Sequence, residues 1–270
     1  MSALPRIHSF EFHDQPWCPA VLREALTDCV NAAWIFTGFW RNALPHLDDL
    51  LTRSGERRIL DLCSGSGGPV PRIVEALAPR FPELRAELSD RYPKPASLEV
   101  FAPALRERVH YREDPVDALA VPASLPGLRT VFGAFHHFPP EQAVALLRSA
   151  SAGGRPIAVF EFQRRDLLRS LVPPMGFVGL SPLIAHWTAP RRWWRPLLTA
   201  VPVIPALWGW DSLVTILRTY TPDELVDLAR QAAAPGYRWE IREARSSGRD
   251  RITCVAGFPD PRGGVALVEY

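Results

Sequence analysis

The stretch Arg57–Leu77, "RRILDLCSGSGGPVPRIVEAL", constrains the fold more than any other part of the chain. A short apolar run reaches Asp61, crosses a turn holding Gly65, Gly67 and Gly68, and enters a helix. Such a turn aims backbone N–H groups at a ligand, and the missing side chains let that ligand come close.

The same rhythm recurs along the chain. "RRILDL" is followed by a helix from about Pro69 to Ala78, and "LRAELSD" by a helix around Pro95 to Arg106. "RVHYRE" is a third strand, "LRTVFGAF" a fourth that leads into the helix "PPEQAVALLRSA", and "GGRPIAVFEF" a fifth. Strands alternating with helices at this spacing predict parallel β-α-β units with right-handed crossovers. After Phe162 the rhythm breaks, then resumes with the helix "TPDELVDLARQAA" and the strands "YRWEIREA" and "RITCVAGFP". The turn "RSSGRD" between those strands suits an antiparallel hairpin. Before the first strand, residues 19–53 have helical periodicity interrupted near Gly38 and Pro45, which predicts two helices. No internal repeat is evident.

Composition narrows the function classes. With 270 residues, 47% hydrophobic and 22% charged, the chain suits one globular domain with elaborations and is not of disordered composition. A net charge of +2 gives no footprint for nucleic acid. Lys94 is the only lysine among 31 basic residues, a genomic bias rather than thirty binding roles. Cys18, Cys29, Cys63 and Cys254 are scattered without a C-x-x-C pair or metal-ligand spacing. They read as reduced thiols of a cytoplasmic protein, and no metal is expected. The N-terminus lacks the apolar core of an export signal. The apolar run Pro196–Trp210 is shorter than the ~20 residues of a spanning helix and is interrupted by Pro202 and Pro205.

The turn itself selects among nucleotide ligands. A G-x-G-x-x-G reader starting at Gly65 would need a third glycine where Val70 stands, and a P-loop would need a lysine that is absent. Asp61 precedes the turn, and Asp90 ends the second strand 23 residues beyond Gly67, where an acid can accept hydrogen bonds from ribose hydroxyls. An acid beside the turn repels a pyrophosphate and suits a cationic amino group. A ribose with an ammonium and no phosphates describes S-adenosylmethionine; another nucleotide-binding α/β protein is the alternative.

"ILDLCSGSGG" resembles motif I of the class I S-adenosylmethionine-dependent methyltransferases, "ELSD" resembles their ribose-binding second strand, and "REDPVDALAVP" their adenine-contacting third. "FGAFHHFPPEQAVALLRSASAGGRPIAVFEF" is similar to the fourth strand, double-histidine turn, helix and fifth strand of the small-molecule branch. The resemblance spans roughly Gly55–Pro259 in the family's order. It implies a Rossmann-like α/β fold: a seven-stranded, mostly parallel sheet with an antiparallel last strand and helices on both faces. Residues 1–54 would form an N-terminal helical lid and 55–270 the methyltransferase domain. It implies S-adenosylmethionine as cofactor, held by Asp61, Cys63, Ser64, Gly65, Gly67, Asp90, Arg91, Asp117, Ala118 and Gly133, with Asp114 a second candidate for adenine. Two departures stand out. Cys63 replaces the first glycine of the turn, expected here as a small substitute with negative φ, and the fourth strand lacks its usual acid.

Transfer from a sulfonium chiefly requires alignment of the acceptor with the methyl group and exclusion of water. An alcohol or phenol also has to lose a proton, for which a histidine suits. His136 and His137, at the carboxyl edge of the sheet, are candidates for this role or for structural packing of the turn. Glu161 faces either the substrate pocket or an arginine. Tyr220 and Arg218 face the pocket or form a surface pair. Asp14, Gln15 and Trp17 belong to a lid or to a hydrophobic staple.

The segment 165–215 is an apolar insertion before the last helix, expected as a substrate cap. Residues 171–210 carry Trp187, Trp193, Trp194, Trp208 and Trp210, five of nine tryptophans, and prolines that exclude one long helix. So much aromatic surface has to be covered by the active site, a second copy in a homodimer, or a membrane surface through 187–210. The expected acceptor is a small or medium hydrophobic metabolite, methylated on oxygen. A non-catalytic binding protein with the same fold is the main alternative. Nucleic-acid methylation is disfavoured by charge and by "AFHHF" standing where an N-P-P-Y motif would be.

Overall fold

The computed structural model describes residues 5–165, 191–243 and 252–269. Its centre is an eight-stranded sheet of β1 (Arg58–Leu62), β2 (Arg85–Leu88), β3 (Val109–Tyr111), β4 (Leu128–Phe132), β5 (Ile157–Glu161), β6 (Tyr237–Glu243), β7 (Thr253–Pro259) and β8 (Gly264–Glu269). Their order is β3-β2-β1-β4-β5-β7-β6-β8. Strands β1 to β5 run parallel, β7 is antiparallel to both β5 and β6, and β8 is parallel to β6.

β4 and β5 are buried at every position, as strands covered on both faces must be. Helices α1 (Ala20–Thr37), α2 (Leu44–Ser54), α3 (Val70–Leu77), the single turn α4 (Pro103–Arg106), α5 (Pro140–Ala152), α6 (Trp194–Ala200), α7 (Val203–Arg218) and α8 (Pro222–Gln231) surround the sheet. α3 buries Val70, Ile73, Val74 and Leu77, one stripe at helical spacing, with Pro71 in its first turn where no N–H is needed. α8 starts with a capping box in which Thr221 and Glu224 satisfy each other's backbone N–H groups. On one face Trp34, Leu47, Ile73, Phe132 and Phe160 belong to a continuous core; on the other Leu62, Val131, Phe135, Leu147 and Trp239 do. Gly257 permits the closest contact there, because a Cβ would lie 2.4 Å from the Trp239 ring.

Three expectations are corrected. The sheet has eight strands rather than seven, since "GVALVE" adds β8 beside β6, so the antiparallel strand is not the last. The helix expected around Pro95–Arg106 is a 3-10 segment, Pro95–Val100, and the separate turn α4; Pro103 marks the break. Cys63 has a φ of 58°, in the left-handed region, not the negative φ expected.

The insertion is described from Arg191 onward; Trp187, the prolines from Pro173 to Pro190 and the turn "RSSGRD" lie outside the described residues. α6 and α7 break at Pro202, as the prolines require. Ile204 and Trp208 of α7 pack against Ala25, Leu26, Cys29 and Ala32 of α1. Among the described residues no single helix is long and apolar enough to cross a membrane; α6 and α7, bent by 75°, reach that length and composition together.

The N-terminal segment is strapped along α7. Ile7 N–H donates to Leu217 O at 3.0 Å, Arg218 Nε to Ser9 O at 2.7 Å and Phe12 N–H to Asp211 Oδ1 at 2.7 Å. The strap carries Glu11, His13 and Asp14 to the carboxyl edge of the sheet.

Candidate functional site

Strand order reverses at β1 and β4, and in open α/β sheets ligands bind at the carboxyl ends of the strands where this happens. A cavity of about 1960 Å³ opens there. Ordinary small-molecule pockets reach about 1,000 Å³, so this one has room for two ligands side by side.

The turn after β1 forms one wall. Gly65, Gly67 and Gly68 all have positive φ, which only glycine adopts at low cost, and Cys63 joins them. Gly65 N–H donates to Asp90 Oδ2 at 2.8 Å, and Tyr92 N–H donates to Asp90 Oδ1 at 2.8 Å. Tyr111 on β3 donates its hydroxyl to Gly65 O at 2.7 Å and anchors the turn from the opposite strand. Cys63, Ser64, Gly65, Asp90, Arg91, Asp117 and Gly133 all line the cavity. At Gly133, after β4, a Cβ would meet Phe162 at 3.0 Å and Trp34 at 3.3 Å, so that wall is narrow by construction.

Three of the residues expected at the cofactor stand behind the wall instead. Asp61 is 1% exposed, and its carboxylate accepts from Ser64 Oγ at 2.6 Å and from Thr130 Oγ1 at 2.6 Å. Burial raises its pKa to about 7 against those hydrogen bonds. It therefore shapes the turn and ties it to β4, where Thr130 occupies the strand that lacks its acid. Gly67 faces Leu88, Ser97 and Leu98, and Ala118 is buried in the core. Burial also pushes the Cys63 thiol well above its ordinary pKa, with the Asp90 and Asp61 carboxylates adding to the effect, so no thiolate forms.

The far end of the cavity is built from three separated parts of the chain: the N-terminal strap, the turn after β4, and α7. His137 Nδ1 lies 2.9 Å from Asp14 Oδ2, which also accepts from Arg218 at 2.8 Å. His13 Nδ1 lies 2.8 Å from Asp211 Oδ2. His136 is buried, with its N–H donating to Glu161 Oε1 at 3.1 Å and its Nδ1 3.1 Å from Glu161 Oε2. Glu11 is fully buried; it accepts from Thr215 at 3.1 Å and lies 3.3 Å from Arg218 NH1.

The electrostatics follow from these contacts. Burial opposes charge on His137, but the Asp14 and Glu11 carboxylates outweigh it and raise its pKa to about 9. Burial would raise Glu11, yet the surrounding histidines win and lower it. His13 is raised, with burial opposing and Asp211 and Glu11 prevailing.

Of the candidates for chemistry, His136, His137, Asp14, Gln15 and Arg218 line the cavity. Glu161 faces neither the open pocket nor an arginine; it holds His136. Tyr220 turns away and donates to Phe138 O at 2.7 Å beneath the Arg6 guanidinium. Trp17 is 62% exposed beside Phe10 and Phe12, outside the cavity. Glu11, His13 and Asp211 were missed. The run "HSFEFHD" holds four acids and histidines in seven residues, and Asp211 and Arg218 sit two turns apart on α7; those were the available signals.

The remaining wall is apolar, with Leu26, Val30, Trp34, Phe132, Phe162 and Trp208 among its residues. α7 supplies Trp208, Ser212 and Thr215, so this part of the insertion borders the cavity directly.

Strand order β3-β2-β1-β4-β5-β7-β6, parallel but for β7, is the mostly parallel Rossmann-like α/β arrangement expected from the sequence, with β8 added at the edge. No protein-family profile matches the chain, and no curated protein does. Among solved structures it is similar to a putative O-methyltransferase from Nostoc punctiforme, at 16% identity over 93% of this chain and 64% of that one, with a TM-score of 0.49. It is also similar to human N-acetylserotonin methyltransferase in complex with S-adenosylmethionine, at 16% identity over 82% of this chain and 51% of that one, TM-score 0.46. A third is the mitomycin 7-O-methyltransferase, at 16% identity over 88% and 54%, TM-score 0.44. The chain thus spans about half to two thirds of the length of these structures.

Proposed function

We propose that the chain transfers a methyl group from S-adenosylmethionine to an oxygen of a small or medium hydrophobic acceptor. The observation that carries this reading is the Gly65–Asp90 contact at the mouth of a cavity large enough for two ligands. Asp90 lines the cavity and retains acceptor lone pairs for a ribose, Asp117 is exposed at the third-strand end where an adenine amine would lie, and the missing side chain at Gly65 leaves room for the amino-acid part. The one lysine at the turn, Lys94, donates to Ser66 Oγ at 2.7 Å and Thr27 Oγ1 at 2.9 Å and pairs with Asp28 at 3.3 Å, so its charge is already engaged within the wall. When bound, the cofactor supplies an electrophilic methyl group on a sulfonium.

The chain's own residues then have two tasks. Leu26, Val30, Trp34, Phe132, Phe162 and Trp208 exclude water and hold an apolar acceptor beside the turn. At the polar end, the histidines and Arg218 orient its oxygen. With its raised pKa, His137 in the ligand-free chain is a proton donor at neutral pH, suited to holding an acceptor oxygen as a hydrogen-bond donor rather than to withdrawing its proton.

Isothermal titration calorimetry with the cofactor and its demethylated product tests the binding half. Transfer of a labelled methyl group to a panel of hydrophobic phenols and alcohols tests the chemistry. Cofactor binding without transfer to any acceptor in a cell extract would favour the non-catalytic alternative.

A second reading concerns the outer face of the insertion. Trp193, Leu197 and Val201, on α6 and the two residues that flank it, are 83%, 56% and 56% exposed, and Arg191 is exposed as well. This stripe supports peripheral contact with a membrane surface, aromatic and aliphatic side chains entering while arginine meets headgroups.

A further inference from the structure

We propose that Asp14, carried on the N-terminal strap, is the positioning residue for His137: it holds the ring by Nδ1, so that Nε2 alone meets the acceptor oxygen. The catalytic consequence rests on the methyl-transfer reading; the geometry stands without it. His137 Nδ1 lies 2.9 Å from Asp14 Oδ2, and Arg218 Nη1 donates to that same oxygen at 2.8 Å. Arg218 Nη1 and His137 Nδ1 are 3.1 Å apart. A carboxylate only accepts and a guanidinium only donates. An unprotonated Nδ1 would set its lone pair against the Asp14 carboxylate, whereas Nδ1–H and the Arg218 N–H can share one carboxylate oxygen. The proton therefore stands on Nδ1. Nε2 has no hydrogen-bond partner among the described residues, on a ring that lines the cavity. A bond at one ring nitrogen fixes the orientation and the tautomer presented by the other.

Asp14 is itself fixed from both sides. Arg23 of α1 donates to His13 O at 3.0 Å and to Gln15 O at 2.7 Å, the carbonyls before and after it. From α7, Asp211 accepts from Phe12 N–H and lies 2.8 Å from His13 Nδ1, and Arg218 Nε donates to Ser9 O. Two helices thus grip the 3-10 turn Phe12–Asp14 from different directions. The imidazole comes from the turn after β4, and the carboxylate that orients it lies 123 residues away along the chain. The polar end of the cavity is complete only when the strap is docked.

The other charged groups around the ring do not take over this role. On the strap, Glu11 Oε2 is 3.7 Å from His137 Nδ1, beyond a hydrogen bond, and the His13 ring stands edge-on at 5.2 Å. Arg6 donates to the carbonyls of His136 and Phe138, and His8 lies beside Arg6. In the turn after β4, the His136 ring is 4.2 Å away and is held by Glu161 of β5. On α7, Asp211 is engaged by the strap and Arg218 by Asp14. Among the described residues Asp14 is the one carboxylate within hydrogen-bond distance of His137. Burial and Arg218 oppose charge on the ring, and Asp14 with Glu11 overcomes them.

The test reads His137 directly, by NMR titration of the full chain with ¹⁵N-labelled histidine, the signal being assigned from its loss in His137→Gln. In the wild type Nδ1 should carry a proton on both sides of the midpoint. Asp14→Asn, checked for folding by circular dichroism, should lower that midpoint by at least about one pH unit, the lower end of what a neighbouring opposite charge supplies. Asp14→Glu should recover part of the shift. Asp90→Ala should lose cofactor affinity and leave the His137 titration in place, which separates failure here from failure of the methyl-transfer reading. In transfer assays Asp14→Asn should lower kcat at least about tenfold with cofactor affinity unchanged, and should add little once His137 is Gln. An unprotonated Nδ1 in the wild type above its midpoint would overturn the proposal without any variant. So would an unmoved midpoint in folded Asp14→Asn, or a loss of kcat that adds in full to that of His137→Gln.

Discussion

Gly65 N–H donates to the Asp90 carboxylate across 2.8 Å, joining the turn after β1 to the end of β2. One acid thereby fixes the glycine turn, accepting from Gly65 and Tyr92 while lining the cavity. In the proposed function, the local backbone and the cofactor depend on the same side chain.

Removing that acid should affect binding before it affects folding. Asp90→Ala is expected to weaken the demethylated cofactor by about 10- to 100-fold, the loss of one or two charge-assisted hydrogen bonds at about 1.5–3 kcal/mol each. Calorimetry reads the affinity, and unchanged affinity would remove Asp90 from the site.

Cys63 carries left-handed backbone, the only non-glycine among the described residues to do so. A Cβ in that conformation costs about 1–2 kcal/mol, partly offset in glycine by unfolded-state freedom of about 0.4–1 kcal/mol. Cys63→Gly should therefore raise the thermal midpoint slightly and Cys63→Val, which is β-branched, should lower it. Cys63→Ala should retain turnover, because the thiol, held well above its ordinary pKa, is neutral and methyl transfer needs no protein nucleophile. Abolished turnover with intact cofactor binding would give the thiol a role.

Asp61 makes stability depend on pH. Its folded pKa of about 7 lies above the ordinary carboxyl value near ~3.9, so the folded chain holds the proton more tightly. The contribution is fully present below about pH 4 and is lost as pH rises through about 7. Denaturant midpoints measured across that window should fall with rising pH, and Asp61→Asn should remove this component of the slope. An identical slope in the variant would mean that other groups carry it.

Asp28 on α1 joins three elements. It pairs with buried Arg195 of α6, lies 3.3 Å from Lys94 Nζ, and accepts from Ser66 in the glycine turn. Asp28→Ala leaves buried positive charge without this partner and is expected to cost about 3–5 kcal/mol in urea unfolding. A change within 1 kcal/mol, about the worth of a surface pair, would show that the network is solvated.

The exposed stripe on α6 gives a binding prediction. The double variant Trp193→Ser, Leu197→Ser should lose at least about tenfold in sedimentation with anionic vesicles, given about 1.5–3 kcal/mol per buried apolar side chain. Its cofactor affinity should stay unchanged. Equal sedimentation of both proteins would remove the membrane reading.

The sequence by itself determined the parallel sheet, the glycine turn and the position of Asp90, because strand–helix alternation and turn chemistry act over neighbouring residues. It also placed the two N-terminal helices and the broken insertion. It did not reveal β8, whose short run after "DPRG" has no helix to announce it and pairs with β6 along the sheet edge. Nor did it set φ at Cys63, since the fold imposes a left-handed turn there and the residue accepts the strain. Asp61 looked like a ligand from its place in the motif, yet burial and two hydroxyl donors turned it inward. The polar end of the cavity was decided by tertiary structure alone. Glu11, His137 and Arg218 are far apart along the chain and meet only because the N-terminal strap bonds along α7 across the turn after β4. Periodicity reports which face of an element is buried; which buried charges face one another is set by packing between elements.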